Sequence, residues 1–316
     1  MAPTQTPVSR PIACAHLLMD WSPPDHTWAD IKSQWSSIRF DAVDVLNVSA
    51  FCVQSDHKTF GLASSDPNLA DLFNWIITTA RTQNPNIKIL AQQFYGTTAW
   101  ISLDTSQINT HAASVASVVQ QYGLDGYDVD YEWNQEDAGN QISEAPTILA
   151  AIRHELNALS KTENRPLYLT LSPASTENLT PSNPAAKANP VSKSVDWVNI
   201  QTYDGGWNND NSVKSWHDLG FTSSQLLYGI WPENTSDPNK HSPTLTEVKT
   251  AYSSHKLGGV NLWRLTSGNL IFENQVQVLV YNFLHKKTLP HSPSLADVEA
   301  HWKAGYDAQM KLTKVS

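Results

Sequence analysis

A chain of 316 residues is long enough to bury one large core, and no stretch of it approaches the roughly 20 apolar residues of a membrane span. Thirty acidic residues against 21 basic ones, a formal charge of -9, argue against a nucleic-acid partner, as does the absence of any basic run longer than Lys286-Lys287. Only Cys14 and Cys52 are present, too few for a disulfide framework, and their places early in one expected strand and late in the next speak against pairing.

Met1 to Arg10 is polar and proline-bearing, without the apolar core of a signal peptide, which leaves a cytosolic protein or one whose signal has been removed. Beyond it, short β-branched or apolar runs alternate with longer amphipathic ones, the pattern of a parallel sheet wrapped by helices. Strands are expected at about Ile12 to Met19, Val43 to Phe51, Ile87 to Tyr95, Gly126 to Glu132, Leu167 to Ser172, Trp197 to Tyr203, Gln225 to Trp231 and Gly259 to Arg264. Eight such strands are the number that closes a barrel.

The helices between them carry their own start signals. Asp66-Pro67 caps a run to Arg81 with Leu69, Leu72, Phe73, Ile76 and Ile77 on one stripe. Thr105 opens Ser106 to Tyr122, and Glu144 to Ser160 places Ile148, Leu149, Ile152, Leu156 and Leu159 at helical spacing. Thr244 to His255 and Phe272 to Lys286 supply the last two crossovers. Ala174 to Asn189, rich in Ser, Thr, Asn and Pro, reads as a long loop or a poorly formed helix. After Leu289-Pro290 one more helix is expected over residues 294–313, either packed on the barrel or frayed. With no repeats and no separate binding module, the chain reads as a single domain with a core over about residues 10–290, and as a monomer.

The densest chemistry lies in Leu124 to Trp133, where Asp125, Asp128, Asp130 and Glu132 fall in the order DGxDxDxE. Val129 and Tyr131 favour a strand, and a period of two puts Asp128, Asp130 and Glu132 on one face. Successive carboxyls are then roughly 6.5 to 7 Å apart along the backbone, close enough to compete for ionisation. A carboxylic acid kept neutral beside an ionised one is what general acid catalysis of glycoside cleavage requires. The other readings of three aligned carboxyls are a hard-metal site or a hydrated strand end.

These residues match without a gap the DGxDxDxE signature of glycoside hydrolase family 18, the chitinases and endo-β-N-acetylglucosaminidases, which the chain therefore resembles. The resemblance implies a single (β/α)8 TIM barrel. It makes Glu132 the acid that protonates the scissile oxygen. Asp130 would orient the substrate's own 2-acetamido group, which attacks the anomeric carbon in place of an enzyme nucleophile, and Asp128 would take up a proton as Asp130 moves. No cofactor and no metal are implied, and the partner is an oligosaccharide or glycan. Pro232 to Gly258 is too short for the extra α/β subdomain of many processive chitinases, which favours an open cleft.

Six of the 12 tryptophans fall at or just after expected strand C-terminal ends, where barrel sites are built: Trp21, Trp100, Trp133, Trp207, Trp231 and Trp263. They are read as platforms for sugar faces, whereas Trp28, Trp35, Trp75 and Trp197 are read as core. By resemblance Trp263 floors the sugar at the cleavage position. On the sixth expected strand, Asn199, Gln201 and Tyr203 share a face. Tyr203 would hydrogen-bond the acetamido carbonyl and Asp204 a sugar hydroxyl, with Gln201 where the family usually has Met. The chain departs from the family's Ser-x-Gly-Gly at Leu90 to Gly96, where Gln92 or Gln93, and Tyr95, bring bulk and hydrogen-bonding groups near the floor. The 11 histidines show no HxH or HExxH spacing and are read as structural or surface groups.

The expected activity is retaining cleavage of β-1,4 bonds at N-acetylglucosamine, with endo-acting chitinase as the first reading. An endo-β-N-acetylglucosaminidase acting on N-glycans is the alternative, and a chitin-binding lectin the rival of another class, against which an intact Glu132 stands. Sequons begin at Asn47, Asn178 and Asn234; Asn47 lies inside an apolar strand and is unreachable, while the other two are in polar loops. With the habit of the family, these favour secretion.

Overall fold

The computed structural model describes residues 9–19, 27–93, 103–131, 145–176, 179, 190–203, 212–232, 244–266 and 269–303. Its strands are β1 Ile12–Leu18, β2 Val45–Val53, β3 Phe60–Leu62, β4 Lys88–Gln93, β5 Gly126–Tyr131, β6 Tyr168–Pro173, β7 Trp197–Ile200, β8 Leu226–Ile230 and β9 Gly259–Leu262. Eight run parallel in the order β1-β9-β8-β7-β6-β5-β4-β2, and the pairing of β1 with β2 closes them into a barrel. This is the (β/α)8 architecture that the alternation of short and amphipathic runs predicts. The ninth strand, β3, is a three-residue antiparallel addition to β2.

Around the barrel lie α1 Trp28–Trp35, α2 Pro67–Gln83, α3 Ile108–Gln121, α4 Ala145–Glu163, α5 Val191–Ser194, α6 Val213–Asp218, α7 Leu245–His255 and α8 Leu270–His285. In α2 the Asp66 side chain accepts from Asn68 N at 2.9 Å and the predicted stripe is buried. Helix α1 is not predicted from the sequence. It is held by a capping box between Thr27 and Asp30, and only Ile31 and Trp35 are buried, too few to make a periodic stripe over eight residues. Residues 295–303 are helical, and Trp302 is buried with its ring 5.9 Å from Phe272 of α8, so in this part the last helix packs on the barrel. Among the described residues no helix is long and apolar enough to cross a membrane.

Period-two alternation sorts the strand residues into two environments. Ala13, Ala15 and Leu17 of β1, Ile89 and Ala91 of β4, and Tyr127 and Val129 of β5 face outward into one large core shared with the helices. Facing inward, Ile12, Cys14, Val45, Leu90, Tyr168, Trp197 and Leu227 form an apolar plug near the starts of the strands. Of the tryptophans read as core, Trp35 and Trp197 are buried, and Trp28 and Trp75 pack against the outer cluster. Asn47 is fully buried, out of reach of glycosylation in the folded chain, and Cys14 and Cys52 are buried free thiols.

Two residues of the acidic motif serve the scaffold. Asp125 accepts from Ile89 N at 2.9 Å and pairs with Arg81 at 3.2 Å and Arg165 at 3.4 Å, tying β4 to two helix ends. A Cβ on Gly126 would lie 2.0 Å from the Tyr168 carbonyl oxygen, so only glycine lets β5 and β6 approach here.

His111 of α3 is fully buried edge-on to Phe60, at 6.2 Å between ring centroids, and burial pulls its imidazole down to about 4. Its unfolded value is about 6.5, so stability is complete above that pH and is lost as pH falls towards the folded value, by roughly 3 kcal/mol in all. Urea unfolding of wild type and His111→Phe between pH 7 and 4 checks this. The wild type should lose ground steadily against the variant, and parallel curves would contradict the assignment.

Candidate active site

Closing a barrel staggers its strands, so inward side chains from alternate strands share a level. Following the pairings around, Asn47 of β2, Asp128 of β5, Asn199 of β7 and Asn261 of β9 form one level directly above the plug. His16, Gln92, Ser172 and Gly229 form the next, and Ser49, Asp130, Gln201 and Trp263 the one above that. A barrel interior that is apolar at the bottom therefore turns polar towards the strand C-terminal ends, where sites are assembled.

Asp128 is fully buried and receives four side chains. Gln92 Nε2 donates to Oδ2 at 2.8 Å and Ser172 Oγ to the same oxygen at 2.8 Å, while Asn199 Nδ2 donates to Oδ1 at 3.1 Å and the Thr170 hydroxyl donates to it as well. Burial pushes this carboxyl up; the nearby His16 imidazole and the hydrogen bonds from Thr170, Ser172 and Gln92 act against that rise. Burial thus favours the neutral carboxyl, and the donors favour the charged one.

Two levels up, Asp130 is 5% exposed and Oδ1 accepts from Gln201 Nε2 at 3.3 Å; Gln201 also donates to the Ser172 carbonyl at 3.1 Å. Tyr203 is buried and meets Trp231 edge to face, with ring centroids 5.8 Å apart. Gly229 makes room for it, since a Cβ there would come within 2.9 Å of the tyrosine ring. Trp263 is half-buried, 5.5 Å from the His16 ring and 5.7 Å from the Arg264 guanidinium, and the Trp263–Arg264 peptide is cis.

Of the residues read from the sequence as forming the site, Asp128, Asp130, Gln201, Tyr203, Trp231 and Trp263 gather at this end of the barrel. Gln93 does not join them. Its side chain accepts from the Tyr127 hydroxyl at 2.8 Å on the outward side, because Gln92 is the residue in register with Asp128. Glu132, Trp133, Tyr95, Asp204 and Trp207 lie outside the described residues, as do Trp21, Trp100, Asn178 and Asn234. Sequence reasoning missed Thr170 and Ser172, although both lie two residues apart in a strand beside the motif. It also missed His16, set aside for want of a metal spacing. Among the described residues no group of three or more His, Cys, Asp or Glu could hold a metal ion.

A family model described as glycosyl hydrolases family 18 matches residues 26–236. Chitinase A1 of Niallia circulans is 26% identical over 165 residues, covering 48% of this chain and 23% of that protein. Endochitinase 1 of Metarhizium anisopliae is 30% identical over 110 residues, covering 32% and 24%. These matches span about a quarter of the relatives' own length. Among solved structures, a class V chitinase from Nicotiana tobaccum superposes with a TM-score of 0.57 at 13% identity, covering 81% of this chain and 94% of that one. A chitinase-like agglutinin from Robinia pseudoacacia does so with a TM-score of 0.59 at 16% identity, covering 85% and 99%. At such identities the likeness is one of fold.

Thr170→Val removes one donor to Asp128 at nearly constant volume. A hydrogen bond to a charged group is worth about 1.4 kcal/mol or more, so the Asp128 midpoint should rise by about one pH unit. Carboxyl carbon NMR titration of aspartate-labelled protein measures it, and an unchanged or lower midpoint would show that the hydroxyl does not support the charge.

Proposed function

The chain belongs to glycosyl hydrolases family 18, and from that membership we propose that it is a retaining, endo-acting hydrolase of β-1,4-linked N-acetylglucosamine oligomers, working through the substrate's 2-acetamido group. The observation that carries this reading is the stacking of Asp130 directly above a buried, four-fold hydrogen-bonded Asp128 within DGxDxDxE.

In the proposed reaction Glu132 protonates the scissile oxygen. Asp130 turns to accept the acetamido N–H, which raises the nucleophilicity of the carbonyl oxygen and shares charge with the oxazolinium ring that forms. As it turns, Asp130 gives its own proton to Asp128, whose burial makes it a willing acceptor. In this reading Tyr203, which packs against Gly229 and Trp231, hydrogen-bonds the acetamido carbonyl, and Trp263 offers a ring face to the sugar. Asp204, Trp133, Trp207 and Tyr95 complete the sugar contacts in this reading. Water then opens the oxazolinium with Glu132 as base, so the configuration is retained. The reading includes secretion, supported by the sequons at Asn178 and Asn234.

Incubating the protein with chitin oligomers and, separately, with a high-mannose glycoprotein, and weighing both sets of products, tests the substrate. Oligomer cleavage is expected; glycan release alone would make the protein an endo-β-N-acetylglucosaminidase, and binding without cleavage a lectin. Glu132→Gln should lower turnover by at least 10²- to 10⁴-fold while oligomer binding survives. Loss of only a few-fold would remove Glu132 as the acid. Trp263→Ala should weaken oligomer binding by about 1 to 3 kcal/mol, and unchanged affinity in the folded variant would return Trp263 to a packing role.

A further inference from the structure

Between the levels of Asp128 and Asp130 sits an imidazole that the proposed reaction does not use. His16, the inward residue of β1 at the level of Gln92, is 1% exposed. Burying a polar ring is costly unless its polar atoms are engaged. Among the described residues its Nε2 has no hydrogen-bond partner, so the engaged atom is Nδ1, which lies 3.0 Å from Nε2 and 3.3 Å from Oε1 of the Gln92 amide. That same Gln92 Nε2 donates to Asp128 Oδ2 at 2.8 Å. Three side chains from β1, β4 and β5 thus form one line, shielded from solvent.

The amide fixes the direction of the line. While Asp128 is ionised, Gln92 cannot turn over, because Oε1 would then face the carboxylate. With Nε2 so held, both states of the imidazole are accommodated: a bare Nδ1 accepts the second Nε2 hydrogen, and a protonated Nδ1 donates to Oε1.

We propose that His16, acting through Gln92, is a positioning residue that keeps Asp128 ionised and ready for the proton that Asp130 releases. The imidazole gives the buried cluster a second base. On acidification a proton can go to the imidazole instead of to Asp128. The imidazolium so formed holds the carboxylate charge in place. Burial draws His16 down and Asp128 up, and each group opposes that change in the other.

Among the described residues the remaining neighbours of His16 do not take this part. Cys14, two residues back on β1, is a thiol that burial pushes well up and so keeps neutral. Asn47 and Ser49 on β2 are uncharged. Just after β9 the ring of Trp263 lies 5.5 Å away with the Arg264 guanidinium 5.7 Å from it, and on β5 Asp130 is bonded to Gln201.

The inference rests on the hydrolase reading for its catalytic consequence, and the test has one arm that needs no activity. In His16→Leu the carboxyl carbon midpoint of Asp128 should rise by about one pH unit. The acidic limb of kcat on chitin oligomers should move up by the same amount, with KM little changed. Measured on that limb, kcat falls about tenfold while the alkaline limb stays where it is. His16→Asn, which keeps a polar contact to Gln92 but takes no proton, should show the same shift and serves if the leucine variant fails to fold. Gln92→Leu should shift the midpoint too, and adding His16→Leu to it should add little. An Asp128 midpoint that stays or falls in the folded variants would overturn the proposal, as would a kcat lowered evenly at every pH. A shifted midpoint in a protein that cleaves no oligomer would support the coupling and overturn the hydrolase reading instead.

Discussion

Holding the Asp128 carboxyl where water does not reach is the constraint on which the open end of this barrel depends. Taking a carboxylate out of water costs several kcal/mol even after relaxation, and here the offset comes from donors on three strands: Gln92 of β4, Thr170 and Ser172 of β6, and Asn199 of β7. None of these bonds survives a one-residue slip of its strand, which would turn the donor outward. The register of half the barrel and the hydrogen bonding of one side chain are therefore the same fact. A rigid closed sheet suits the task, because donors fixed in advance need not reorganise when a proton moves.

The interior divides the work by level. The apolar plug of Ile12, Val45, Leu90, Tyr168, Trp197 and Leu227 supplies burial at the strand starts. Above it Asn47, Asn199, Asn261 and Asp128 replace apolar side chains with amides and a carboxylate, which contribute less to stability and more to placing charge. Asp125, with Arg81 and Arg165, anchors β5 from below. Gly126 lets β5 lie close to β6, and Gly229 admits Tyr203 over β8. Two acids of one short motif, Asp125 and Asp128, thus do different things, and their neighbours decide which.

Much of this was legible in the sequence. The period of two in Asp128, Val129 and Asp130 gave the strand and its polar face, and Asp66-Pro67 with its stripe gave α2 almost to the residue. What stayed hidden depended on partners. Two adjacent glutamines in β4 make both faces polar, so no local signal says that Gln92 points inward; only its pairing with Asp128 decides it. His16 lies in an otherwise apolar run, and its role appears only when β1 closes against β2 and β9 and sets it near β4. Thr170 and Ser172 are ordinary β-strand residues until β6 lies beside β5. Helix α1 and strand β3 are short, held by a cap and by the ring of Phe60 on Phe51 rather than by a long pattern.

Two oligosaccharides that differ only at C2, one bearing acetamido groups and the other hydroxyls, put acetamido participation to the most direct measurement. With wild-type protein the acetamido oligomer should be cleaved and its first product should carry the retained anomeric configuration, while the hydroxyl oligomer stays intact. Rapid cleavage of the hydroxyl oligomer, or a sugar found bonded to Asp130 by peptide mass analysis, would contradict it.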